Sequence, residues 1–197
     1  MQSGRRADIA GLPIRNGAAV LAAAVLCAAL SACAGPAAFD PAKAPPTFAR
    51  VEPARYQGTW YEIARLPMWF QRSCLRSQAT YGLLETGGLS VLNECETAAG
   101  GRESVTGTAR AVDGGKNARL EVRFDSWFAP LIPSQPQGNY WVLYLDEAYQ
   151  TVIVGTPDRR NLWIMARTPS IDEARYAELV GIARGLGFDT EKLIRRK

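Results

Sequence analysis

From residue 58 to residue 167 the chain is a run of short alternating or apolar segments, each closed by turn residues, and this rhythm constrains the fold most. Eight such segments are countable: residues 58–66, 76–84, 88–94, 104–112, 118–124, 139–145, 151–155 and 161–167. Between them stand Glu85-Thr86-Gly87-Gly88, Gly100-Gly101, Asp113-Gly114-Gly115 and Thr156-Pro157-Asp158. These residues suit tight reversals, so consecutive strands should pair as antiparallel hairpins rather than through crossovers. Eight strands in up-and-down order leave two exposed edges if the sheet stays open. Closure pairs those edges and leaves an interior wide enough for one small ligand. A single helical pattern follows. Ser170-Ile171-Asp172-Glu173 fits a capping box with Ser170 as N-cap; Ile171, Ala174, Leu179, Ile182, Ala183 and Leu186 partly keep helical spacing; Gly185 and Gly187 supply a stop. The expected fold is all-β: an eight-stranded up-and-down antiparallel β-barrel with one C-terminal α-helix packed outside.

The amino-terminal region belongs to none of this. Arg5, Arg6 and Arg15 precede an apolar run of thirteen residues, 18–30, whereas a bilayer-spanning helix needs roughly 20. Those are the parts of a secretory signal. Leu30-Ser31-Ala32-Cys33 resembles a bacterial lipobox, which implies lipidation of Cys33 and removal of residues 1–32. Cys27 fits less well, because bulky Leu26 precedes it. Two or three acyl chains, at about 0.8 kcal/mol per buried methylene, anchor durably without a spanning helix. Ala34 stands where aspartate favours inner-membrane retention in the lipoproteins this resembles, which points to the outer membrane. Residues 33–54 are rich in Ala and Pro without apolar period and read as a lipidated linker, leaving 55–197 as the domain. Loss of residues 1–32 leaves 20 basic against 18 acidic residues, which gives no argument for nucleic-acid binding.

Cys74 and Cys95 are then the remaining side-chain thiols. In an oxidising compartment they are expected to pair, worth roughly 3 kcal/mol for a loop of about 20 residues; the alternative is two free thiols, one of them reactive. If Leu84 faces Leu89 across the first hairpin, Cys95 faces Gln78, and Cys74 must curl back to reach it.

Gly58-Thr59-Trp60-Tyr61-Glu62-Ile63-Ala64-Arg65 heads the first strand, and Leu162-Trp163-Ile164-Met165-Ala166-Arg167 ends the eighth. The glycine lets the backbone pass close under a large indole, which a distant arginine could cover by cation-π contact. Together with Asp146-Glu147-Ala148-Tyr149, these segments resemble the three signature regions of the lipocalin family, over nearly all of residues 56–194. The resemblance implies that Gly58, Trp60 and Arg167 brace the closed floor of the barrel and touch no ligand. It also places Tyr81, Asn93, Phe124 and Trp141 where related proteins carry pocket residues. On the fifth strand alternation agrees, since Leu120, Val122 and Phe124 share one face. Leu83, Leu143 and Met165 share the phase of nearby candidates. For each of these the alternative is ordinary core packing.

Two loops carry large apolar side chains. Residues 126–133, with Trp127 and Phe128, read as a lid, a homodimer contact, a surface that dips into lipid, or a satellite cluster under the rim; Pro67-Met68-Trp69-Phe70 has a similar character.

The chain contains no histidine, which excludes Ser-His-Asp chemistry and His-bound zinc. No four-thiolate metal set and no phosphate-cradling glycine loop is present, so no cofactor or metal is expected. The reading is a non-enzymatic binding protein, lipid-anchored in the outer membrane and facing the periplasm. The family resemblance implies that it holds a fatty acid or lysophospholipid, stored or transported for envelope maintenance. The alternatives are a thiol-dependent lipid isomerase and a structural module without ligand.

Overall fold

The computed structural model describes residues 40–125 and 135–196. The signal segment, Cys33 and the Trp127-Phe128 loop lie outside these residues. Eight antiparallel strands form the barrel: β1 (Gly58–Arg65), β2 (Cys74–Leu83), β3 (Leu89–Thr97), β4 (Arg102–Ala111), β5 (Arg119–Phe124), β6 (Tyr140–Leu145), β7 (Thr151–Gly155) and β8 (Leu162–Ala166). Each pairs with the next in sequence, and β1 closes the ring between β8 and β2. The first half of β1 pairs with β2, Gly58 opposite Tyr81, and its second half with β8, Arg65 opposite Trp163. A two-residue β9 (Ile194–Arg195), absent from the sequence reading, pairs with Ala64 and Arg65. It covers the stretch of β1 that β2 has left, so no ladder edge stays open there.

Two apolar layers hold the barrel. Inside lie Trp60, Tyr81, Val91, Leu120, Val142, Val154 and Met165. Outside, Ile63, Trp141, Leu143, Ile153 and Ile164 are covered by Leu179 and Ala183 of the helix α2 (Glu173–Gly185), together with Phe188. Because that wall is covered on both faces, β7 is buried along its whole length and its apolar run does not alternate.

The helix start differs from expectation. Asp172 is the N-cap, its carboxylate accepting from Arg175 N at 2.8 Å, whereas Ser170 offers its carbonyl to Thr168. Asp, one residue before Glu173, satisfies the orphan amides without needing the reciprocal box. At the other end Gly187 takes φ +85°, Gly187 N donates to Arg184 O, and Phe188 N to Ala183 O, a Schellman closure.

The first hairpin also shifts by one residue: Leu83, not Leu84, faces Leu89, which sets Cys95 against Ser77. An irregularity between Cys74 and Arg76 turns Cys74 back, and the disulfide forms with Cα atoms 5.5 Å apart.

The Pro-rich stretch assigned to a linker is docked from Asp40 onward. Pro45 and Val51 are buried, Phe48 N donates to Val142 O, and Val51 N to Lys116 O, both at 2.8 Å. Arg159, in the β7–β8 turn, donates to Lys43 O and Leu186 O. The segment thus runs from the mouth to the floor along the β5–β6 seam, where the ladder has two paired positions. Proline without apolar period carries no hint of this, since the contacts come from backbone groups supplied by a distant strand. A short helix, α1 (Pro53–Tyr56), ends the segment across the floor.

Candidate functional site

The floor is built where α1 meets β1. Trp60 is fully buried, its Nε1 donating to Tyr56 O at 2.8 Å, and the Arg167 guanidinium lies 3.9 Å from its ring centroid. The same guanidinium donates to Thr59 O, Arg55 O, Tyr56 O and Tyr149 O, at 2.8 to 3.3 Å. Gly58 sits at φ +91°, and a Cβ there would stand 3.4 Å from Arg167 Nη1. The glycine is therefore needed for its backbone angle, with the guanidinium as its neighbour rather than the indole. Beside the floor, Asp146 accepts from Gln150 N, Thr151 N and Thr151 Oγ1, with Arg175 Nη2 at 3.5 Å. Burial alone would raise its carboxyl, but the hydrogen bonds from Thr151 and Gln150 and the Arg175 charge outweigh it and hold the pKa below the usual value.

Above the floor, Val122, Phe124, Tyr140 and Trp163 pack on the inner cluster yet remain partly exposed. Inward-facing side chains that still meet solvent mark a lumen reached from the mouth. Four of the expected pocket residues belong here: Tyr81 and Met165 in the inner cluster, Phe124 against it, and Asn93 in the phase of Leu89 and Val91. The Asn93 Oδ1 atom is buried and has no hydrogen-bond partner among the described residues. Three others are placed elsewhere. Trp141 and Leu143 belong to the outer cluster beneath α2, the Trp141 indole donating to Gln137 O at 2.7 Å. Leu83 is 51% exposed at the end of β2. On β6 it is Tyr140 that turns inward, and both faces of this strand are buried, so hydrophobicity alone gives no phase.

Tyr140 is the centre of a group the sequence reading missed. Its hydroxyl lies 2.7 Å from that of Tyr56 and receives the Tyr81 O–H at 3.0 Å. The Tyr56 ring sits 5.0 Å from Trp60, so the three phenols rest directly on the floor. Burial pushes the Tyr81 phenol up to about 12 and raises Tyr56 and Tyr140 as well.

A second polar group was missed nearer the mouth. Arg65 and Glu62 are both buried, with Nη1 to Oε1 at 2.6 Å. Three residues apart on a regular strand they would face opposite ways; the β1 irregularity between Glu62 and Ala64 brings Arg65 round to its partner. Arg65 Nη2 donates to Gln71 O and Cys74 O, Gln71 Nε2 reaches Glu62 Oε2 and Ser77 Oγ, and Trp163 Nε1 donates to Gln71 Oε1. The network ties the entrance loop to β1 and β8. Outside it, Trp69 is 76% exposed and Phe70 packs edge-on against it at 5.7 Å.

The arrangement can enclose a small hydrophobic molecule between a sealed floor and an open rim. Both sulfurs are held in the Cys74–Cys95 disulfide, so neither of these two residues is a free thiol.

Comparison with known proteins agrees with this geometry. The family model described as a lipocalin-like domain matches residues 51–197. Temperature-induced lipocalin-1 of Arabidopsis thaliana is 41% identical over 142 residues, covering 71% of this chain and 75% of its own. Outer membrane lipoprotein Blc of Escherichia coli K12 is 38% identical over 141 residues, with the same shares. Among solved structures, the cockroach allergen Per a 4 superposes with a TM-score of 0.57 at 20% identity, over 77% of this chain and 90% of that one, a likeness of fold alone. With barrel, floor and sequence in agreement, the chain belongs to the lipocalin family and is built to bind a small hydrophobic ligand.

Proposed function

We propose that this lipocalin is a lipid-anchored protein of the outer membrane that carries a fatty acid or a lysophospholipid for envelope maintenance. The observation that carries the reading is the inward ring of Val122, Phe124 and Trp163, partly exposed above a sealed floor. An acyl chain laid against it gains about 0.8 kcal/mol per buried methylene before the costs of binding. Polar headgroups would stay at the rim. The resemblance of Leu30 to Cys33 to a lipobox and the name of the Escherichia coli relative support the location. Among the described residues no helix is long and apolar enough to cross a membrane, so attachment through Cys33 is the proposed means.

Mass spectrometry of lipid extracted from natively purified protein tests the cargo. An acyl lipid should be present, and a fluorescent fatty acid should be displaced by oleate or lysophosphatidylethanolamine. Empty protein that displaces nothing would sink the reading. Cys33→Ala should abolish labelling with radioactive palmitate and release the protein from the outer-membrane fraction.

A further inference from the structure

Tyr56, Tyr81 and Tyr140 come from α1, β2 and β6, and the fold brings their hydroxyls together at the bottom of the lumen. Three phenols carry three O–H protons, but the group contains two hydrogen bonds. Tyr81 donates to Tyr140. If Tyr140 then donates to Tyr56, the Tyr56 proton has no acceptor; if Tyr56 donates to Tyr140, the Tyr140 proton has none. Among the described residues these hydroxyls make no other hydrogen bond, so either arrangement leaves one donor over. A donor left over in an apolar lumen favours any ligand oxygen that can accept from it. Ionisation offers no escape, because burial disfavours the phenolate at all three positions.

We infer that the three tyrosines form a hydrogen-bond donor site for a neutral ligand oxygen deep in the lumen, so that the preferred cargo is a lipid with a keto, ether or hydroxyl oxygen within its apolar body. The inference rests on the carrier reading above and narrows it. A carboxylate delivered head-down fits less well. It would bury its charge beside neutral phenols, and Arg65, a buried cation near the lumen, is already committed to Glu62. A water on the spare donor in the empty protein would give way to a ligand oxygen that replaces its bond. Tyr81 was expected at the site from the resemblance, but the donor arises only from the convergence of the three elements.

The test uses the natively purified protein, a fluorescent fatty acid as reporter, and as competitors octadecanoate and a series of oxo-octadecanoates with the ketone moved along the chain. At least one isomer should bind about three- to tenfold more tightly than octadecanoate, the range a net hydrogen bond supplies. In Tyr56→Phe/Tyr81→Phe/Tyr140→Phe that ratio should fall to about one. Should the triple variant not fold, the infrared band of a carbonyl-labelled ketone bound to the wild-type protein decides, since a donated hydrogen bond lowers it relative to alkane solution. Equal affinity for all isomers and octadecanoate, an advantage that survives in the triple variant, or an unshifted ketone band would each overturn the inference while leaving the carrier reading intact. If octadecanoate and every isomer fail to displace the reporter, the carrier reading falls and takes this inference with it.

Discussion

The two ends of the barrel treat their polar groups in opposite ways. At the floor the Arg167 guanidinium covers Trp60 and binds four backbone carbonyls, and Asp146 gathers the amides of its turn. In the lumen and at the mouth, Asn93 Oδ1 and Arg65 Nε are buried with no partner among the described residues, three phenols share two hydrogen bonds, and Trp69 and Phe70 stand in solvent. Stability and ligand binding are thus placed in different parts of the barrel. A region whose hydrogen bonds are all internal stabilises the chain and offers little to a ligand. A region with unmatched groups lowers stability and leaves donors and acceptors for a ligand to use.

Substitutions at the two ends test this contrast. Trp60→Ala should have the largest effect, about 3–5 kcal/mol lost in denaturant unfolding, because it opens a cavity under a rigid floor. A loss below about 1 kcal/mol would show that the floor does not hold the barrel. Next comes the disulfide at the mouth: Cys74→Ser/Cys95→Ser should lower stability by roughly 3 kcal/mol. Arg167→Met should cost about 1–2 kcal/mol, keeping the stem over the indole while losing the charge, and should leave ligand affinity unchanged.

The contrast on β5 and β6 is finer. Phe124→Ala should weaken fatty-acid binding about tenfold with a smaller change in stability, whereas Trp141→Ala should destabilise and leave affinity nearly intact once the protein is folded. Titration and unfolding curves of the two variants, measured side by side, check it. Affinity lost on changing Trp141 and kept on changing Phe124 would reverse the assignment of faces.

The smallest effect concerns acid. The Asp146 pKa is depressed in the folded state, so its contribution is present above the unfolded value and is lost as pH falls from about 4 downward. Asp146→Asn should flatten the acid limb of stability against pH and leave the neutral plateau only slightly lowered. An unchanged acid limb would assign that loss to other carboxylates.

Much of the barrel is legible in the chain because strand and turn are local. Alternation on β5 correctly set Leu120, Val122 and Phe124 inward, where the other face carries Glu121 and Arg123. The same reasoning failed on β6, where Trp141 and Leu143 turn outward under α2. With apolar partners on both sides, Tyr-Trp-Val-Leu-Tyr-Leu has no polar face to set its phase. Glu62 and Arg65 were visible as residues but not as a pair, because an irregularity of one position decides which side of β1 a side chain takes.

Residue order alone determined the eight barrel strands and their antiparallel succession, since turn residues and short-range alternation act over a few positions. Tertiary structure decided which face of β6 lines the lumen, the docking of residues 40–54 along the seam, and the meeting of three phenols from α1, β2 and β6. Those outcomes depend on barrel closure, which brings residues such as Tyr56 and Tyr140, 84 positions apart, within hydrogen-bonding distance. No local periodicity carries that information.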